Sequence, residues 1–297
     1  MTLMRKIFLT ALLAAIISTV TLYSRENNGK SFLWKIETEA GTSYLLGSIH
    51  LLKKDVYPLK AVIENAFELT DVLAVEADIS SDKMGEVGLQ MLGKGMYQGE
   101  ETLKDNISAE TFQLAKKKLD ELGMDIDGFN KFKPWMAALS ITSMQLIKMG
   151  FNPEYGIDKY FLEKASGKKK IEELEGLEFQ MKLFDSLSKE ENEKFLLSSI
   201  LEAEKVGKEV DNMVKAWLTG DTGEMEELMT GNIEKYPKLR PLYKKIIDDR
   251  NERMTAKIIT YLKSEFRYFI VVGAGHMIGQ NGIVQLLRDK GYTVEQL

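Results

Sequence analysis

The chain contains two histidines, His50 and His276, and each follows an apolar run through the same spacing: Leu45-Leu46-Gly47-Ser48-Ile49-His50 and Val271-Val272-Gly273-Ala274-Gly275-His276. Neutral imidazole is a common ligand for divalent transition metals, and a site of two histidines and one carboxylate leaves positions open for water or substrate. The 297 residues include no cysteine, which excludes a disulfide framework, a thiolate-rich zinc site and a lipid-modified cysteine anchor. Any metal must then be held by His, Asp, Glu and water. Glu76 is the best carboxylate candidate, and a metal held by His50, Glu76 and His276 would do hydrolytic chemistry. Glycine lets a backbone turn sharply off a strand or approach a ligand closely, so Gly47 and Gly273 are binding candidates. A lone histidine after a strand is more often a hydrogen-bonded packing residue; the matched settings of this pair favour a shared site.

The elements that must position these residues are readable on either side of them. Phe32 to Glu37 and Ser43 to Leu46 read as two strands across a turn at Ala40-Gly41, which leaves His50 just beyond a strand end, where α/β sheets place their ligands. Pro58 is expected to start a helix with Leu59, Val62, Ile63, Ala66 and Phe67 on one face. Val72 to Val75 is a short apolar strand that delivers Glu76 and Asp78 at its carboxyl end. Such a strand, helix, strand unit should lay its two strands side by side and bring Glu76 near His50. At the far end of the chain, Tyr268 to Val272 reads as a buried strand that delivers His276. A helix near Ile283 to Lys290 and an edge strand Tyr292 to Val294 follow it.

From about Ser80 to Tyr261 the pattern is almost entirely helical, broken by Pro134, Pro153, Pro237 and Pro241, with one more short strand at Lys170 to Glu175. The expected fold is therefore α/β, a central mixed β-sheet with a large helical insertion, in a single domain over residues 30–297. Apolar residues make up 44% of the chain, enough for a sizeable core. A net charge of -5 with interleaved lysines and glutamates argues against a nucleic-acid partner. Gly273-Ala274-Gly275 lacks the third glycine at dinucleotide spacing, because Gly279 falls one position late, so no nucleotide cofactor is expected. Asp158, just after Gly156-Ile157, reads as a helix cap more readily than as a pocket residue. Trp135, Met136 and Met144 lie at helical spacing and read as core.

Arg5 and Lys6 precede an uncharged run from Ile7 to Ser24, which breaks into Arg25-Glu26-Asn27-Asn28-Gly29. Residues 1–29 read as a signal peptide or, since no clean small-residue cleavage site is present, as an uncleaved N-terminal membrane anchor. The expected location is exported: periplasmic, cell-surface or held to a membrane by the N-terminus.

From Trp34 to the C-terminus the chain resembles the TraB/GumN/PrgY family, whose animal relatives are the Tiki metalloproteases. The motifs that carry this are Leu46-Gly47-Ser48-Ile49-His50, Glu76, Gly156-Ile157-Asp158, Leu174-Glu175 with Gln180, Arg250-Asn251, and Val272-Gly273-Ala274-Gly275-His276 followed by Gly279 and Gly291-Tyr292. The resemblance implies one pocket built from both Gly-x-x-His segments and a strand-end glutamate, with manganese- or cobalt-dependent peptide cleavage in Tiki-like members; zinc is a further candidate metal. It adds Glu175 and Arg250 as catalytic candidates, a general base and an oxyanion support, and Gln180 and Asn251 as pocket-lining residues. Where the family commonly has threonine after Leu174-Glu175, this chain has Gly176. The expected activity is that of a metal-dependent hydrolase, a peptidase on peptide or protein substrates. The alternative is a non-catalytic envelope protein that sequesters a peptide signal or a haem or metal ligand; the resemblance to PrgY-like members points toward the peptide signal.

Overall fold

A computed structural model describes residues 29–203, 205–235 and 240–297. The expected leader lies outside these except for its last residue, Gly29. Among the described residues no helix is long and apolar enough to cross a membrane.

The strands are β1 (Leu33–Thr38), β2 (Gly41–Ser48), β3 (Val72–Val75), β4 (Lys170–Glu173), β5 (Tyr268–Gly273) and β6 (Val294–Gln296). The helices that matter for the site and its cover are α1 (Ala61–Glu68), α2 (Met84–Gly95), α3 (Ala109–Glu121), α4 (Pro134–Lys148), α5 (Ile157–Ala165), α6 (Leu177–Asp185), α7 (Lys189–Glu202), α8 (Val206–Thr219), α9 (Thr222–Lys235), the short α10 (Arg240–Tyr243), α11 (Asp249–Leu262) and α12 (Ile283–Asp289). One mixed sheet has the order β4-β3-β5-β2-β1-β6. Strands β4, β3, β5 and β2 are parallel, and β1 pairs antiparallel with both β2 and β6.

The inner parallel strands β3 and β5 are fully buried apolar runs, as strands covered on both faces must be, while the edge strand β4 is polar and partly exposed. Successive side chains point to opposite faces, and β5 shows what each face meets. Phe269 packs edge-on against Phe67 of α1 and at a tilt against Phe161 of α5, with centroids at 5.4 and 4.8 Å, while Tyr268 stacks on Tyr261 of α11 at 4.7 Å. The core therefore sits in two layers, one on each side of the sheet.

Three sequence expectations are corrected here. β2 and β3 are not neighbours: β5, from the opposite end of the chain, pairs with both and separates them. The first helix begins at Ala61 rather than Pro58, with Lys60 still extended at its N-cap; Leu59 is buried ahead of it and Val62 faces outward. The last strand starts at Val294, two residues later than expected, where it can pair with Ile36. The helical insertion also does more than cover the sheet. Helices α3, α4 and α7 build an apolar cluster of their own around Leu119, Ala138, Ile141 and Leu196. Trp135 is fully buried, as its helical spacing suggested, and stacks on Phe184.

Candidate functional site

Three parallel strands end side by side, and each releases one candidate residue at its carboxyl end: β2 leads to His50, β5 to His276, and β3 to Glu76. Because β5 lies between the other two, Gly273 becomes the floor of the cleft. A methyl group placed on it would lie 3.3 Å from Glu76 Oε1, 3.5 Å from His276 Cδ2 and 3.8 Å from His50 Nε2. Segments more than two hundred residues apart thus bring both rings and the carboxylate around a single backbone position. Any side chain at 273 would fill that space, which is the physical reason for glycine there.

Each imidazole is oriented from behind. His50 Nδ1 donates to Asp158 Oδ2 at 2.7 Å, and Asp158 Oδ1 accepts from the Ser48 hydroxyl at 2.9 Å. His276 Nδ1 donates to Asn251 Oδ1 at 2.6 Å, while Asn251 Nδ2 donates to the Asn281 carbonyl at 2.7 Å. With Nδ1 as the donor in both rings, Nε2 carries the lone pair whenever the ring is neutral, the arrangement seen in metal-binding histidines held by an outer oxygen acceptor. The two rings differ in access. His276 is buried, and burial lowers its pKa to about 4, so it is neutral near pH 7. His50 leaves 59% of its side chain open to solvent, which makes it the exposed lip of the cleft. The Asp158 carboxylate raises its pKa to about 9, an attraction that solvent screens at so open a ring.

Glu76 is held by three donors. Oε1 accepts from the Gly273 backbone N–H at 2.7 Å, and Oε2 accepts from Gln180 Nε2 at 3.0 Å and Arg250 Nη2 at 2.5 Å. Burial alone would raise its pKa, but His276, Arg250, His50 and the Gly273 N–H outweigh burial and bring it to about 2. Arg250 in turn grips Glu175 through Nε and Nη2, at 3.0 and 2.7 Å to Oε2, and spends Nη1 on the Ile246 carbonyl. Glu76, Arg250 and Glu175 therefore form a closed, buried carboxylate, guanidinium, carboxylate triad.

Of the residues proposed from sequence, His50, Glu76, His276, Gly273, Gln180, Asn251, Arg250 and Glu175 come together in this one network. Gly47 does not line the cleft; a methyl group there would strike the Phe32 ring at 2.5 Å, so its role is packing. Asp158 is not a helix cap: it lies inside α5 beyond the N-cap Gly156 and reaches Ser48 and His50. The chain comes that close because a methyl group on Gly156 would lie 2.3 Å from the His50 carbonyl oxygen, which only glycine avoids. Ser48 was missed by sequence reading; its signal was its place two residues before His50, at the end of the same strand. Gly176, where the family resemblance implied threonine, takes φ +85°, a conformation that disfavours a β-branched residue, and its N–H donates to the Glu76 carbonyl at 2.8 Å.

The model of the TraB/PrgY/gumN family matches residues 32–296. The chain belongs to that family. The Escherichia coli K12 protein YbaP is 26% identical over 246 residues, covering 82% of this chain and 87% of YbaP, and the Shigella flexneri YbaP is 26% identical over 247 residues, covering 83% and 88%. A shorter stretch of 72 residues is 36% identical to the metalloprotease TIKI2 of Xenopus tropicalis, covering 24% of this chain and 13% of TIKI2. No solved structure matches the chain significantly. Among the described residues, no group of three or more His, Cys, Asp or Glu is arranged to hold a metal ion. Both Glu76 oxygens are engaged by donors of the chain itself, Gly273, Gln180 and Arg250. Imidazole and carboxylate are the donor types a divalent cation takes, and Glu76 Oε1, which borders the cleft floor, keeps a second lone pair.

Proposed function

We propose that the chain is a metal-dependent hydrolase, a peptidase acting outside the cytoplasm on peptides or exposed protein segments. His50 and His276 serve as imidazole ligands of a manganese, cobalt or zinc ion, and Glu76 serves as the third. The observation that carries this reading is the convergence of both rings and Glu76 on Gly273, with each Nδ1 tied back to an oxygen acceptor. The local likeness to a metalloprotease supports the peptide bond as the target. The apolar run after Arg5 and Lys6 supports export.

A divalent ion bound there supplies Lewis-acid chemistry for amide hydrolysis. The chain's own residues prepare the site. Asp158 and Asn251 fix the tautomers, so that neither ring must reorient to present Nε2. Arg250 and Gln180 keep Glu76 ionised and hold its Oε2 away, which leaves Oε1 toward the cleft. Glu175 has both oxygens on Arg250 and is buried, so its part is to position Arg250 rather than to take a proton from substrate. Arg250 is likewise spent on two carboxylates and a carbonyl, which leaves it little capacity for a developing oxyanion. Substrate reaches the cleft from the side of the exposed His50 ring.

The test is metal content after dialysis against manganese, cobalt and zinc in turn, for wild type, His50→Ala and His276→Ala, beside a peptide-cleavage screen. One bound ion and cleavage in wild type, both lost in the variants, are expected. No uptake, or uptake that the variants leave unchanged, overturns the reading. Uptake with every peptide recovered intact would turn it into the sequestering alternative.

A further inference from the structure

The described chain enters the fold at the same edge of the sheet as the histidine pair. The Phe32 carbonyl accepts from Gly47 N–H at 2.9 Å, Leu33 pairs with Leu46, and Lys60 Nζ holds the Lys30 carbonyl at 3.1 Å. These contacts place residues 29–32 at the carboxyl end of β2, two residues from His50. Five residues, Arg25 to Gly29, connect this point to the end of the apolar run at Ser24, and they span at most about 17 Å.

The same edge carries an uncovered apolar helix face. Helix α2 follows the carboxyl end of β3 and packs on α6, which follows the carboxyl end of β4. Its inner side, Val87 and Gln90, borders a cavity of about 260 Å³ that Glu175 also lines. Its outer side is Leu89, 74% exposed, and Leu92, 48% exposed, and nothing lies within 4 Å of a methyl group placed on Gly85, Gly88 or Gly93. Charges around this face nearly cancel: Asp78, Asp82 and Glu86 stand against Lys83 and Lys94, with Lys83 paired to Asp78. A leucine and glycine face with only one net negative charge around it suits an apolar surface better than a strongly charged partner. Between β4, which leads into the α6 that α2 packs on, and β1, where the chain enters, lie four strand spacings, about 19 Å.

We propose that the Leu89/Leu92 face of α2 docks on a lipid bilayer, the one that receives the apolar run Ile7–Ser24, so that the carboxyl edge of the sheet faces the membrane. Two footholds on one edge, the N-terminal run and α2, fix the orientation. The cleft then sits close to the bilayer, and its natural substrates are peptide segments lying near a membrane surface. The docking itself does not depend on the hydrolase reading; the substrate statement does.

Because the chain has no cysteine, single cysteines can be introduced and labelled cleanly. Leu89→Cys and Leu92→Cys probe the docking face. Leu69→Cys and Phe266→Cys, 55% and 43% exposed in the wild type and located before the amino ends of β3 and β5, serve as controls at the opposite edge. Each full-length chain, carrying an environment-sensitive fluorophore, is reconstituted into phosphatidylcholine vesicles with or without a lipid-borne quencher. Expected are a blue shift and several-fold stronger quenching at 89 and 92 than at 69 and 266, persisting at high salt. Equal quenching at all four positions overturns the proposal. So does a blue shift at 89 and 92 without lipid quenching, which would mean a second copy or a soluble partner covers the face, and so does failure of the chain to float with vesicles. Cleavage assayed with soluble and vesicle-tethered versions of one peptide tests the substrate statement separately.

Discussion

Strand β3 is bracketed by two carboxylates, Asp71 before it and Glu76 after it, and each is met by an arginine. At the amino end Arg267 binds Asp71 through Nη2 at 2.7 Å, Nε at 3.0 Å and its own backbone N–H at 2.9 Å, and the two side chains remain 40% and 36% exposed. At the carboxyl end Arg250, Glu76 and Glu175 are almost wholly out of water, beside two imidazoles. The first pair ties the start of β3 to the start of β5 and is finished there. The second places two negative charges and one positive charge where desolvation is severe, an arrangement that sequence economy would avoid if only stability mattered. Equal chemistry at two ends of one strand thus separates a fastening from a site.

The contrast is sharpest when each arginine is removed. Arg250→Met leaves two buried carboxylates without a cation and should cost about 3–5 kcal/mol in urea unfolding. Arg267→Ala removes a solvent-screened pair and should cost about 0–1 kcal/mol, less at high salt. Near-equal losses would erase the distinction.

Acid should also strike the carboxyl end first. His276 is depressed from 6.5 to about 4 in the fold, so the unfolded chain binds more protons between these values and stability falls as pH drops through that window. In protein freed of metal by chelation, the loss from this group should approach roughly 3 kcal/mol by pH 4, and His276→Gln should flatten it. Asp71 is depressed to about 2 chiefly by its hydrogen bonds from Arg267, so its contribution is complete above the ordinary carboxyl range and disappears only as pH falls toward 2. A wild-type curve flat from pH 7 to 4 would contradict the buried neutral state of His276.

A smaller effect is expected within the site. His50→Ala opens the lip of the cleft and deprives the buried Asp158 of one partner while Ser48 keeps the other, so it should cost about 1–2 kcal/mol while abolishing metal uptake. Calorimetry and metal analysis on one preparation check both. Asp158→Asn, which keeps the size and the Ser48 contact, should lower metal affinity by about 10–100-fold with little change in unfolding.

Much of this was legible in the residues themselves. Both Gly-x-x-His segments, the strand before each, and the glutamate closing Val72 to Val75 are local patterns, and the period of buried strands is written in short apolar runs. What local pattern does not contain is strand order. The insertion of β5 between β2 and β3 is decided by pairing across some two hundred residues, and it is this that makes Gly273 the floor. Arg250 sits in a charged stretch, Asp249 to Arg253, and nothing in its immediate neighbours distinguishes it from the surface charges beside it. Its burial follows from the turn of π-helix at Lys244–Asp248 running into α11, which packs against the sheet. Asp158 was misjudged because aspartate near a helix start is usually a cap; the close approach of Gly156 to the His50 carbonyl turns the side chain to the ring instead.

The shared cleft itself is most directly tested by a crystal soaked in manganese and measured for anomalous scattering at the metal edge. One strong peak within bonding distance of Nε2 of both His50 and His276 is predicted, with Asp158 and Asn251 still on the two Nδ1 atoms. Two rings that face away from each other, or a peak only at the surface, would contradict it.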